Sequence, residues 1–108
     1  MFCKKYDVAV CGGGIAGCAA AIASAQRGMK TVLIENSVIP GGLATSGMVL
    51  VYLPLCDGEG RQVVSGLSER FLKISNKYGP AEIPAEWRKG GKGNRLQAYF
   101  SPASFVLA

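Results

Sequence analysis

The sequence predicts an α/β fold built on a parallel sheet, from three observations within its first 35 residues. A short apolar run at residues 6–11 leads directly into Gly12-Gly13-Gly14-Ile15-Ala16-Gly17. An alanine-rich stretch of helical character follows, and a second apolar run then closes on Glu35. Glycine runs alone are common in turns. This one leaves a strand, opens a helix and sits in a unit that ends on a carboxylate, which makes it a Rossmann-type dinucleotide-binding signature.

Residues 6–11, Tyr-Asp-Val-Ala-Val-Cys, are rich in β-formers and bounded by glycine, the pattern of a strand buried on both faces. Residues 15–27 place Ile15, Cys18, Ala19, Ile22 and Ala23 at helical spacing on one side. Gly28 follows at the expected C′ position. Residues 31–35, Thr-Val-Leu-Ile-Glu, read as a second buried strand, and strand, helix and strand with tight connections give a right-handed parallel crossover.

Beyond Glu35 lies a turn-rich connection, residues 36–47, holding Pro40-Gly41-Gly42. Residues 48–55 read as extended, with Pro54 keeping them off a central strand position. Asp57-Gly58-Glu59-Gly60 predicts a turn, and Gln62-Val63-Val64 an antiparallel return that makes a hairpin. Ser65 reads as the N-cap of a helix running to Tyr78, with Leu67, Phe71, Ile74 and Tyr78 as its core stripe. Residues 79–94 read as loop and 95–100 as a strand. Ser101 caps a further helix with Pro102 at its first position, where a missing N–H costs nothing. The expected organisation is therefore residues 1–47 as fingerprint and glycine pair, 48–94 as an inserted hairpin, helix and loop, and 95–108 as a strand and the start of a helix. Together they read as the N-terminal part only of a truncated Rossmann-type domain.

Composition narrows the function classes. The 108 residues carry a net charge of +5 and no histidine. The basic stretch Arg88-Lys89-Gly90-Gly91-Lys92-Gly93-Asn94-Arg95 has the composition of a solvated connection. No zinc-finger, RRM or helix-turn-helix pattern accompanies it, so no nucleic-acid partner is expected. The four cysteines, Cys3, Cys11, Cys18 and Cys56, form no C-x-x-C pair, and no metal site is expected. Cys11 and Cys18 fall at positions expected to be buried, where reduced thiols act as small hydrophobes and suit a cytoplasmic protein. Lys4-Lys5 and Ala23-Ser24-Ala25 imitate the ends of an export signal, but Asp7 and the glycine run interrupt its apolar centre. No apolar run reaches membrane-spanning length.

Each glycine of the fingerprint has a physical task. Gly12 permits the tight turn out of the strand, Gly14 lets backbone approach a diphosphate, and Gly17 lets the helix pack closely on the sheet. The N–H groups of the first helical turn, near Ile15 and Ala16, face the diphosphate, whose charge the helix dipole favours. Glu35 stands 18 residues after Gly17, the spacing at which a carboxylate accepts bonds from the adenosine ribose hydroxyls and repels a 2′-phosphate. The ligand is thus the ADP half of a dinucleotide, and FAD and NAD share that half.

The run from Tyr6 through Gly17, then Glu35, then Pro40-Gly41-Gly42-Leu43-Ala44-Thr45-Ser46-Gly47, resembles the opening of the FAD-dependent oxidoreductases of the glutathione-reductase-like superfamily. The likeness continues through Gly60-Arg-Gln-Val-Val-Ser-Gly-Leu and Phe100-Ser-Pro-Ala-Ser-Phe, with Ser65 where glycine is more usual. It implies FAD as cofactor, with Asn36, Gly41, Gly42, Leu43 and Thr45 joining Gly12, Gly14, Ile15, Ala16, Gly17 and Glu35 in the binding set. It implies part of a larger enzyme acting on a small-molecule substrate, among relatives that include tRNA-modifying and dicarboxylate-oxidising enzymes. Thr45 and Ser46 also fit an ST-turn. No residue is assigned to catalysis. Two further readings stand beside this one. One is an NAD-dependent dehydrogenase. The other is a non-catalytic nucleotide-binding module, self-associating through open strand edges.

Overall fold

In a computed structural model the described residues are 4–52, 55, 57, 61–77, 98–99 and 101–106. They fall into two compact units, divided after Gly47.

The first unit is a strand–helix–strand element. Strand β1 (Val8–Cys11) and strand β2 (Thr31–Ile34) pair in parallel, Val8 opposite Thr31 and Cys11 opposite Ile34. Helix α1 (Ile15–Gln26) connects them. A βαβ unit needs this long crossover because parallel strands cannot be joined by a hairpin. The ladder extends past both strands, with the Asp7 N–H donating to the Lys30 carbonyl and the Gly12 N–H to the Ile34 carbonyl, each at 2.8 Å. The Lys30 N–H in turn donates to the Asp7 carboxylate at 2.8 Å, which closes the base of the sheet.

Helix α1 ends as the sequence predicts. Gly28 takes φ +82°. Its N–H donates to the Ala25 carbonyl at 2.9 Å, and the Met29 N–H donates to the Ser24 carbonyl at 3.2 Å. These two bonds form a Schellman motif, which satisfies carbonyls that the last helical turn leaves open.

Burial in this unit departs from expectation. Residues alternate along β1 between half-buried Val8 and Val10 and exposed Ala9 and Cys11, and Ile34 is 54% exposed. Cys11 is therefore exposed and not a core residue, and Cys18 is half-buried. Ile15, expected on the core stripe, is 39% exposed at the mouth of the helix. Continuous apolar strands imply cover on both faces, whereas among the described residues of this unit α1 is the one long helix packed on the pair.

The second unit holds strand β3 (Val51–Tyr52), helix α2 (Leu67–Ser75), strand β4 (Ala98–Tyr99) and helix α3 (Pro102–Val106). The expected hairpin is present in part. β3 pairs antiparallel with β4, Val51 opposite Tyr99, and not with residues 62–64. Those residues return antiparallel beside Leu55 and Asp57: the Val63 and Val64 N–H groups both donate to the Leu55 carbonyl at 2.9 and 3.0 Å. The Asp57 N–H donates to the Arg61 carbonyl at 3.0 Å. The bonds pairing Leu55 with Val63 and Asp57 with Arg61 flank Gln62 as one antiparallel rung, so the expected return forms, but as a short piece apart from β3.

Helix α2 starts at Leu67 with Gly66, at φ +71°, as its N-cap, so Ser65 is not the cap. A positive φ places the chain's change of direction on the glycine, one residue later than the hydroxyl suggested. Leu72 is the buried centre of this unit, packed by Tyr52 and Leu55. Burying such a leucine is worth roughly 1.5–3 kcal/mol. Leu67, Phe71 and Ile74 of the expected stripe are half-buried, and Tyr78 lies outside the described residues. Phe71 meets Phe105 of α3 in a tilted ring pair, centroids 5.9 Å apart. Pro102 opens α3 as expected, and the Phe105 N–H donates to the Ser101 carbonyl at 3.1 Å. The basic stretch at residues 88–95, Cys3, Cys56 and the loop expected at 79–94 lie outside the described residues.

Candidate functional site

The candidate site lies where β1 turns into α1. Gly12, at φ +98°, takes the chain out of the strand in a conformation that L side chains rarely adopt. Gly14 is the N-cap of α1, in extended backbone, with no side-chain cap and no acidic residue in the first turn. Leading N–H groups of a helix have no carbonyl within it to bond. Here, Ile15 and Ala16 supply them.

The three fingerprint glycines differ in what would meet a side chain. A Cβ on Gly17 would stand 1.8 Å from the Gly12 carbonyl oxygen, so this position is glycine because helix and turn touch. A Cβ on Gly14 would meet nothing of the protein within 4 Å. The protein's own packing therefore does not require glycine at Gly14. The space beside its Cα has the form of a backbone cradle open to a ligand, which a side chain would fill.

Glu35 lies directly after β2, level with this turn. Its Oε1 accepts bonds from the Asn36 N–H at 2.9 Å and the Ser37 N–H at 2.8 Å. Its Oε2 accepts the Gly13 N–H. Backbone donors at Ser37 and Gly13, with the Ser37 hydroxyl, lower the Glu35 pKa to about 2. The carboxylate is fixed as an anion, and its oxygens accept only.

The second glycine pair packs against the first turn. Gly41, at φ +107°, donates its N–H to the Gly13 carbonyl at 2.7 Å, and Gly14 and Gly41 form an isolated parallel bridge. A Cβ on Gly42 would stand 3.1 Å from the Gly14 Cα. The Cys18 thiol also donates to the Gly13 carbonyl, at 3.2 Å. A 3-10 turn, Gly42–Ala44, follows the pair. Thr45 is buried, and its hydroxyl donates to the Pro40 carbonyl at 2.8 Å, while the Ser46 hydroxyl donates to the Gly42 carbonyl at 3.3 Å. Thr45 thus ties its own loop together, and Leu43 is left 66% exposed beside it.

The structure brings Gly12, Gly14, Ile15, Ala16, Gly17, Glu35, Gly41 and Gly42 around one turn, with Asn36 holding the carboxylate from behind. The sequence reading missed Gly13. It is buried, and its two polar atoms join Glu35, Gly41 and Cys18. Three consecutive glycines were a signal for it, since a side chain at the middle one would meet the Glu35 side chain. Among the described residues, no three His, Cys, Asp or Glu side chains are grouped to hold a metal ion. No described helix is long and apolar enough to cross a membrane.

Residues 7–106 match the family model described as FAD dependent oxidoreductase. The chain belongs to that family. It is the FAD-binding portion of a flavin-dependent oxidoreductase, and membership decides between the two dinucleotides that glycine spacing left open. Over 107 residues it is 32% identical to the tRNA uridine 5-carboxymethylaminomethyl modification enzyme MnmG of Protochlamydia amoebophila, covering 88% of this chain and 16% of that protein. Over 89 residues it is 36% identical to the enzyme of the same name from Syntrophotalea carbinolica, covering 72% of this chain and 14% of the other. It is also 32% identical over 96 residues to the aerobic glycerol-3-phosphate dehydrogenase of Staphylococcus haemolyticus, covering 82% and 17% respectively. The chain therefore spans about a sixth of the length of these relatives. No solved structure shows a significant match.

The residues fit the ADP half of FAD. Gly14 offers an open cradle for a diphosphate at an uncapped helix start. Beside it, Glu35 Oε2, which accepts the Gly13 N–H, would have room for a second bond from a ribose hydroxyl, since each carboxylate oxygen can accept more than one.

Proposed function

We propose that residues 4–47 hold the ADP half of FAD in the manner of the glutathione-reductase-like superfamily, as the start of a Rossmann-type domain in a cytoplasmic enzyme that oxidises a small-molecule substrate. Gly12 and Gly17 shape the turn, Gly14 admits the diphosphate, and the N–H groups of Ile15 and Ala16 bond it. Glu35 receives the ribose, with Asn36 behind it. Gly41, Gly42, Leu43 and Thr45 form the loop that flanks the cofactor on its other side. When bound, the flavin ring accepts and donates the electrons, and the protein's part is to position it and exclude competing reactions.

The observation that carries this reading is the contrast between Gly14 and Gly17. One glycine is demanded by backbone contact, while the other faces open space at an uncapped helix start. A tRNA-modifying enzyme and a glycerol-3-phosphate dehydrogenase share this stretch of sequence. Their substrates differ in kind, which supports a cofactor cradle, and not a substrate pocket, as the element in common.

The test is the visible absorption spectrum of the purified protein, followed by identification of whatever denaturation releases. Yellow protein releasing FAD is the expected result. Colourless protein that binds NAD instead points to a dehydrogenase, and protein binding neither overturns the assignment.

A further inference from the structure

Gly13 occupies the variable position between the first two fingerprint glycines, where the turn itself asks for no particular residue. Its φ is not in the left-handed region, so an alanine suits its backbone. What surrounds it is more demanding. A Cβ there would stand 2.9 Å from the Glu35 Oε2 and 3.1 Å from both the Glu35 Cβ and Cγ. All three of these atoms belong to one side chain, and no backbone atom is among them. Meanwhile the Gly13 N–H is the donor that holds Oε2. The Glu35 carboxylate is thus located from two sides: by Asn36 and Ser37 on Oε1, and by the bare Cα and N–H of Gly13 at Oε2.

We propose that Gly13 is a positioning residue for nucleotide specificity: its missing side chain sets where the Glu35 carboxylate stands, and so governs selection of a ribose with a free 2′-hydroxyl. This rests on the assignment of the ADP half of FAD to residues 4–47. A methyl group at Gly13 displaces Glu35: the carboxylate, at the far end of the side chain, swings away, and the Glu35 Cβ gives by a few tenths of an ångström together with its own backbone. Neither Gly12, Gly17 nor the Gly41 N–H bond to the Gly13 carbonyl is touched by that methyl. The diphosphate cradle survives, and the ribose contact is what changes.

The experiment measures affinities of the flavin-free protein for ADP, 2′-deoxy-ADP and adenosine 2′,5′-bisphosphate by calorimetry, in wild type and Gly13→Ala. A hydrogen bond to a charged group makes wild type favour ADP over the 2′-deoxy nucleotide by roughly 10- to 100-fold. In Gly13→Ala that preference falls to within about threefold, and the rejection of the 2′-phosphate weakens with it, while affinity for 2′-deoxy-ADP and the far-UV circular dichroism stay at wild-type values. A variant that keeps the wild-type preference overturns the proposal, as does one that loses affinity for all three nucleotides in parallel. Wild type that binds ADP without preference overturns it while leaving the dinucleotide assignment intact; wild type that binds no adenine nucleotide overturns both. A second measurement does not depend on folding of the alanine variant. In Glu35→Gln, with a neutral acceptor, the Gly13 amide resonance in a nitrogen–proton spectrum moves upfield; an unmoved Gly13 resonance overturns the proposal.

Discussion

The Gly41 N–H bonds to the Gly13 carbonyl at 2.7 Å, so two glycine-rich segments 28 positions apart share one turn. Beside that bond, a Cβ on Gly42, whose φ is +52°, would stand 3.1 Å from the Gly14 Cα. Gly42→Ala meets both a left-handed backbone and a contact with no flexible partner. It is expected to cost about 1–3 kcal/mol. Thermal denaturation reads the loss of stability, and the flavin retained per protein falls with it. An unchanged melting temperature contradicts the contact.

Gly17→Ala and Gly14→Val separate folding from binding. At Gly17 the new Cβ collides with the Gly12 carbonyl, and helix and strand have to part, at a cost of about 3 kcal/mol or more. Urea unfolding is the measure. At Gly14 a side chain meets open space, so Gly14→Val keeps the helix content seen by circular dichroism and loses FAD. Equal loss of structure in both variants contradicts the distinction.

Glu35 gives a pH signature with a definite sign. Its pKa in the folded chain is lowered to about 2 from 4.5, chiefly by the backbone donors Ser37 and Gly13. The folded state therefore binds its proton less readily, and the stabilisation is complete above pH 4.5 and is lost as pH falls toward 2. In Glu35→Gln this component of the acid transition is absent. Melting temperatures of both proteins between pH 2 and 5 test this, and a difference independent of pH contradicts it. From pH 5 to 8 the carboxylate stays ionised, so FAD affinity shows no step from Glu35 there.

Gly28→Ala isolates backbone conformation. A Cβ there meets nothing within 4 Å, yet φ is +82°. The expected cost is about 1 kcal/mol, read by denaturant unfolding, with FAD affinity unchanged because the Schellman turn lies at the far end of α1. A loss of FAD affinity matching the loss in a Gly42 variant contradicts this separation.

Local signals in the sequence located Gly12, Gly17 and Gly28 correctly because each answers to geometry within its own turn or to the adjoining strand. The same locality explains what was missed. Ser65 has the chemistry of a cap, but φ +71° at Gly66 decides where α2 begins. The partner of β3 was sought ten residues away, whereas β4 lies beyond a long intervening segment, and alternation along a strand carries no label for its partner. Cys11 looked buried because an apolar run does not reveal whether one face or two are covered. The place of Glu35 beside the glycine turn was legible from spacing, but its bond to Gly13 is a meeting of side chain and backbone that spacing does not encode.

The ladder bond from the Gly12 N–H to the Ile34 carbonyl has a consequence for how this unit tolerates change in length. It joins the residue before Gly13 to the residue before Glu35, so the two halves of the cradle are bolted at the level of the last rung. The connection from α1 into β2 lies at the opposite end of the strands, about 10 Å away. Insertions after Gly28 therefore change the base of the element and leave its mouth in register. A single residue added between Cys11 and Gly13, or between Ile34 and Glu35, instead shifts one jaw of the cradle past the other.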